Sequence, residues 1–246
     1  MRTLLTLLLF VPLIGFGQYW QQQGQDIDGE AAGDESGTSV IMNTSGDRIA
    51  IGATYNDGNG PDAGHVRIYN WNGNTWTQQG QDINGEAAYD ESAFSLSMNA
   101  AGDRVAIGAN GNDGNGASSG HVRIYEWSGS SWTQQGQDID GQAAVDGSGH
   151  SVYMNAVGDR VAVGAPHNDG NGPDAGHVRI YAWNGTLWTQ LGQDIDGEGS
   201  GDYSGESVSM NAVGDRVAIG APRNDGNGFR SGHVRIYNWN GNSWVK

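Results

Sequence analysis

Gly64-His65-Val66-Arg67-Ile68-Tyr69 returns letter for letter at Gly120, Gly176 and Gly232, each copy 56 residues after the last. The flanks return with it. Asp-Arg-(Ile/Val)-Ala-(Ile/Val)-Gly-Ala begins 17 residues earlier, Asn-Asp-Gly-Asn-Gly lies just before, and a Trp-x-x-x-x-Trp spacing follows. A fixed period of this size belongs to stacked or ring-forming units, each too small to bury a core alone.

Within one unit the residues alternate as short strands do. Ser39-Val40-Ile41-Met42-Asn43 reads as strand A, and Asp47 to Ala53 as strand B, with Ala and Gly on the face suited to close sheet packing. A loop dense in turn formers, Tyr55 to Ala63, leads into strand C from His65 to Trp71. Asn72-Gly73 then predicts a hairpin into strand D, which starts at Trp76, Trp132 and Trp188 and has an N-terminal counterpart in Tyr19 to Ile27. Four up-and-down strands are the content of one propeller blade. The fold class is therefore all-β, a β-propeller of four four-stranded antiparallel blades. Trp20 and Trp244 stand four periods apart, so the N-terminal strand is expected to complete the last blade and close a monomeric ring, which would leave no exposed sheet edge. A piece of a longer propeller is the rival reading.

Composition narrows the function. The chain has 42 Gly, 5 Pro and 36% hydrophobic residues, and long amphipathic helical patterning is absent outside the N-terminus. A net charge of -16 disfavours nucleic acid as a partner, because phosphate binding needs a basic surface. With no cysteine there are no disulfides, thiolate metal sites or thiol nucleophiles. Met1 to Gly17 carries Arg2, an apolar run from Leu4 to Phe16 and a small-x-small end, the pattern of a secretory signal peptide. Residues 18–246 would then be the propeller, secreted or held at the cell surface.

The order Ser-Gly-x-Ser-Val, Val/Ile-Gly-Ala-Pro and Gly-x-Val-x-x-Tyr resembles the FG-GAP repeat of integrin alpha-subunit propellers and their bacterial relatives. Gly164-Ala165-Pro166 and Gly220-Ala221-Pro222 keep the Gly-Ala-Pro element; Thr54 and Asn110 replace its proline in the first two repeats. Ser36, Ser148 and Ser204 stand where the family has the Phe of its FG element. The resemblance implies a propeller and an adhesion-type binding role. It also implies calcium in the loop between strands A and B, but here that loop has shrunk to turns such as Asn99 to Asp103.

Of the 28 acidic residues, 23 fall in or beside the D-to-A and B-to-C connections, which up-and-down strands place at one end of the blades. Crowded carboxylates there would favour calcium, which takes six to eight oxygen ligands. Its candidate ligands are Asp57, Asn59, Asp113, Asn115, Asp169, Asn171, Asp225 and Asn227, in four Asp-Gly-Asn loops. The next ligand position holds Pro61, Ala117, Pro173 or Phe229, so the EF-hand pattern is not met, and an Asx turn is the other reading. The Trp pairs flanking the hairpins suit cross-strand packing, or stacking on sugars if exposed. His65, His121, His177 and His233 open strand C in every repeat and read as structural. The Asp-Arg pairs read as turn caps with surface charges, and His150, His167, Arg223 and Arg230 as irregularities of the repeat.

No zinc motif or phosphate loop occurs, the one Gly-x-Ser-x-Gly match, Gly116-Ala117-Ser118-Ser119-Gly120, lies between two strand patterns rather than before a helix, and four near-identical units offer the same group four times where catalysis needs different groups in different roles. The expectation is a non-catalytic binding or adhesion module for a protein or glycan ligand, with no cofactor unless calcium binds. A carbohydrate-binding propeller is the alternative, and a propeller glycoside hydrolase a more distant one.

Overall fold

The computed structural model describes residues 20–246, so the signal-peptide reading of Met1 to Gly17 lies outside the described residues. Four antiparallel sheets follow one another along the chain. The first blade comprises β1 (Ser39–Met42), β2 (Arg48–Ala53), β3 (His65–Trp71), β4 (Trp76–Gln78) and β5 (Ile83–Asn84). The second repeats it as β6 (Ser95–Met98), β7 (Arg104–Ala109), β8 (His121–Trp127), β9 (Trp132–Gln134) and β10 (Ile139–Asp140). The third is β11 (Ser151–Met154), β12 (Arg160–Ala165), β13 (His177–Trp183), β14 (Trp188–Gln190) and β15 (Ile195–Asp196). The fourth is β16 (Ser207–Met210), β17 (Arg216–Ala221), β18 (His233–Trp239) and β19 (Trp244–Val245). Strand D of each of the first three blades is thus two short pieces on strand C, and β4 and β5 both pair with β3.

The break in strand D has a packing reason. Gly80 lies between the pieces at φ 81°, and a β-carbon there would sit 2.7 Å from the Trp127 ring of the next blade. Only glycine lets the backbone approach that ring and take a positive φ together. Trp132, paired with Trp127 at a ring separation of 5.4 Å, is buried and donates its Nε1–H to Gln79 O at 2.8 Å. The Trp pairs therefore pack across the hairpin and also fasten each blade to strand D of the one before.

Asn43 is not the end of strand A but the organiser of the turn after it. Its Oδ1 accepts from the amides of Asp47 and Arg48 at 3.1 and 2.9 Å, and its Nδ2 donates to the Asp47 carboxylate at 2.8 Å. The arginines of the Asp-Arg pairs are not free surface charges, as the sequence suggested. Arg48, Arg104 and Arg160 each reach the following blade and donate to the carbonyls of Gly102, Gly158 and Gly214 at 3.1, 3.1 and 2.8 Å.

The cores lie between blades. Ala50, Val66, Ile68 and Ile83 of the first pack against Met98, Val105, Ile107 and Trp132 of the second, and the same arrangement joins the second to the third and the third to the fourth. At about 25 cal/mol per Å² of apolar area buried, these three interfaces are the main stabilising element.

Closure by the N-terminal strand is not seen. Residues 20–38 form no strand, and Trp20 is fully exposed. The segment instead lies on the first blade, in the seat that Gln79 to Ile83 occupy on the second. Gln25 donates to Trp76 O at 2.9 Å, Trp76 Nε1 donates to Gln23 O at 3.0 Å, and Ile27 packs beside Ile51, Tyr69 and Trp76. The four blades form an arc whose fourth-blade end face stays uncovered, while the N-terminal segment covers Ile51 and Trp76 on the first blade and leaves Val40 and Met42 exposed. Among the described residues no helix is long and apolar enough to cross a membrane.

Candidate functional site

The B-to-C loops and D-to-A connections meet at one end of the blades, held by the same backbone bonds in each unit. Tyr89 N–H donates to Pro61 O at 2.7 Å, Val145 N–H to Ala117 O at 2.7 Å, and Gly201 N–H to Pro173 O at 2.8 Å. This end carries the acidic surface and all the repeat's irregular residues considered below.

The eight sequence-predicted ligands sit here in four separate loops. Asp57 Oδ1 accepts from the Asp62 amide at 2.9 Å, Asp113 Oδ1 from Ser118 at 2.8 Å, and Asp169 Oδ1 from Asp174 at 2.9 Å; Asp225 holds the Arg230 amide in the same way. Asn59, Asn115 and Asn171 turn their Nδ2 groups onto Gly85, Gly141 and Gly197 carbonyls at 2.8, 2.9 and 2.7 Å. Asn227 has no outgoing connection to reach, and its backbone amide donates to Ser231 Oγ at 3.3 Å. Each loop is closed by its own side chains.

Histidine and carboxylate do converge one layer deeper. Nδ1 of His65 lies 3.8 Å from Glu30, that of His121 3.9 Å from Glu86, and that of His177 3.9 Å from Asp194. The groups Glu30, His65 and Asp82; Glu86, His121 and Asp138; and His177, Asp194 and Asp196 each bring three ligand atoms within 4.8 Å. An arginine stands in each. Arg67 and Arg123 approach Glu30 and Glu86 at 3.5 and 3.3 Å, and Arg179 grips Asp194 in bidentate fashion at 3.0 Å. The guanidinium offsets one of the two carboxylates in each cluster. Burial, followed by the neighbouring Arg123 and Arg179, lowers the pKa of His121 and His177 to about 4. Burial likewise raises the carboxyl of Glu86. The histidines are neutral imidazoles wedged under the loops.

Two features of this face are not repeated fourfold. Tyr89 and Val145 occupy a left-handed backbone position, φ 66° and 71°, which the first and last connections fill with Gly33 and Gly201. Both side chains are 63% exposed. Positive φ recurs at other residues of these loops, such as Asp62, Glu91 and Tyr203, but for a β-branched residue such as Val145 it is an outlier. The second feature is a cleft of about 260 Å³ in the last blade, lined by Ser200, Gly201, Tyr203, Arg223, Asp225, Phe229 and Arg230. Arg223 stacks on the Tyr203 ring at 3.9 Å, Tyr203 Oη donates to Asp174 at 3.2 Å, and His167 Nδ1 meets the same carboxylate at 2.9 Å. Phe229 stands 83% exposed with Arg230 above its ring. Residues that look like unrelated departures from the repeat in the sequence thus gather in one place. The signal available beforehand was that His167, Arg223, Phe229 and Arg230 all fall in B-to-C loops at the same end.

On the inner side, β1, β6, β11 and β16 line a cavity of about 270 Å³, with Met42, Met98, Met154 and Met210 as its repeating wall. Its wall is mostly apolar, with Thr44, Ser97 and Tyr153 as the polar side chains.

No family model matches the chain, and no curated protein does. Solved structures with the same fold do. Hydrazine synthase of Kuenenia stuttgartiensis is similar over 92% of this chain and 52% of its own, with TM-score 0.56 and 10% identity. The WD40 repeats of RRP9 are similar over 85% and 50%, with TM-score 0.52 and 10% identity. The Cps50 (Swd1) β-propeller domain of Myceliophteria thermophila is similar over 86% and 54%, with TM-score 0.50 and 12% identity. The chain is a β-propeller assembly of repeated four-stranded blades that spans about half the length of these neighbours.

Proposed function

We propose that the chain is a non-catalytic protein-binding module whose contact surface is the acidic loop face. The observation that carries this reading is the pair Tyr89 and Val145. Backbone strain persists where something other than folding selects it, and here it holds two apolar side chains out in solvent on successive connections. The cleft around Arg223 and Phe229 adds a cationic, aromatic contact to the same face of a chain whose net charge is -16. Aromatic and arginine side chains are the usual anchors of protein interfaces. WD40 and other propeller neighbours share the fold, and their bearing on binding is analogy.

The absence of catalysis is argued from repetition. The deep histidine clusters are variants of one arrangement, with Gln142 standing at the third where Glu30 and Glu86 stand at the first two, and each has an arginine beside its carboxylates. Secretion rests on the pattern of Met1 to Gly17. Protein is favoured over glycan because Trp132, Trp188 and Trp244 are buried between blades and Trp76 beneath the N-terminal segment, which leaves Trp20 as the fully exposed tryptophan among the described residues. For calcium, the leading aspartate of every loop and the asparagine of the first three are engaged in hydrogen bonds, so the loops are read as turns. Equal thermal midpoints in calcium, magnesium and chelator are expected. A calcium-specific rise, lost when Asp57, Asp113, Asp169 and Asp225 become Asn, would restore the metal.

The binding reading is tested with the wild-type chain and a Tyr89→Gly/Val145→Gly variant as paired baits for extracellular proteins of the source cells. A partner held by the first and lost by the equally folded second supports the loop face. A partner held equally by both removes it.

A further inference from the structure

The two ends of the arc are the two halves of an interface the molecule already makes three times. On the fourth blade, Val234 and Ile236 are 67% and 53% exposed, whereas their counterparts Val66 and Ile68, Val122 and Ile124, and Val178 and Ile180 are buried beneath the next blade. On the first blade, Val40 and Met42 are 53% and 46% exposed, whereas Val152 and Met154 in the third are buried against the second. One end therefore offers the Ala-Val-Ile face that every internal junction uses. The other offers the face that such a junction receives.

We propose that a second copy of this chain covers both ends, so that two four-blade arcs join head to tail in one ring. The polar groups at the ends match in the same register. Internal junctions are tied by Thr44 N–H to Ala100 O, Ala100 N–H to Ala156 O, and Ala156 N–H to Ala212 O, at 3.2, 3.0 and 3.1 Å. The next bond in that series runs from Ala212 N–H to Thr44 O of the second copy. The serine series behaves alike. Ser39, Ser95 and Ser151 donate to the carbonyls of Ala93, Gly149 and Gly205, with the Ser95 and Ser151 bonds at 2.7 Å, and Ser207 would reach Gly37 across the new junction.

By repeat position Ile27 corresponds to Ile83, which pairs with Val66 of β3, and in the ring it would lie beside β18 of the other copy. Ile27 and Asp28 are held against their own first blade with their outer edge free, in the orientation Ile83 and Asn84 keep toward the second blade. A second copy fits better than self-closure because the ends of one chain do not bury each other. Such a ring has a two-fold axis along its channel, the closed symmetry usual for oligomers.

Light scattering on the purified chain tests this. The expected mass is twice that of one chain, and Val234→Asp/Ile236→Asp should halve it while leaving the β-sheet circular dichroism unchanged, since both side chains are exposed within a single chain. A second variant, Val40→Asp/Met42→Asp, attacks the opposite end and should halve the mass too. A wild-type chain that stays monomeric at tens of micromolar overturns the proposal, as does a dimer that survives both variants.

Discussion

Val145 is the residue whose presence most needs an explanation. At φ 71° a β-branched side chain costs about 1 kcal/mol more than glycine, after allowance for glycine's extra entropy in the unfolded chain. Val145→Gly should therefore raise the thermal midpoint by roughly 2–4 °C, and Tyr89→Gly similarly, measured by calorimetry. A fall would mean that the side chains stabilise the fold rather than serve a partner. His121 and His177 make a prediction of a different kind. Their folded pKa, about 4, lies below the ordinary histidine value of 6.5, so the unfolded chain binds the extra proton. Stability is then full above pH 6.5 and falls as pH drops toward 4, by up to about 3 kcal/mol per histidine. Glu86, raised by burial, acts in the opposite sense in the narrower window just above the ordinary carboxylate range. Urea denaturation from pH 8 to 4 should show the fall, and His121→Gln/His177→Gln should flatten it. An unchanged slope in the variant would place the acid sensitivity elsewhere.

The strand pieces and turns show which parts of the repeat could be read in advance. Asn72-Gly73 announced the C-to-D hairpin, and Trp71 does meet Trp76 across it at a ring separation of 5.2 Å. The split of strand D and the reach of the arginines were not legible, because both are settled one blade away. Arg48 meets Gly102, and Gly80 meets Trp127, but a repeat displays the same residue types in every copy and hides which copy each one touches. Gly136 repeats the Gly80 situation: a β-carbon would lie 2.7 Å from the Trp183 ring at φ 78°. Gly136→Ala should cost about 2–3 kcal/mol in denaturant unfolding. Gly33→Ala, at φ 96° with open space around it, should cost about 1 kcal/mol. Equal costs would show that the Trp contact is not what demands glycine.

Blade number, strand order and the acidic end of the molecule all follow from the period and the placement of Asp and Glu. Closure did not follow. The equivalence of Trp20 and Trp244 counts residues, whereas closure depends on the angle between packed blades, which no sequence spacing encodes. The cleft around Arg223 and Phe229 was hidden for a related reason, since its members break the period singly and only the B-to-C loop packing unites them. What emerges is an arc built from one interface used three times, with one half left exposed at its fourth-blade end, the other only partly covered by the N-terminal segment, and a strained loop face beside them. The absence of cysteine permits a direct test. One preparation carries Val40→Cys, another Val234→Cys, and the two are mixed with a short thiol cross-linker. The account predicts a species of two chains, 52.0 kDa as twice 26.0 kDa, abundant in the mixture and scarce in either preparation alone. No such species in the mixture, or a double variant that cross-links only within one chain, would contradict it.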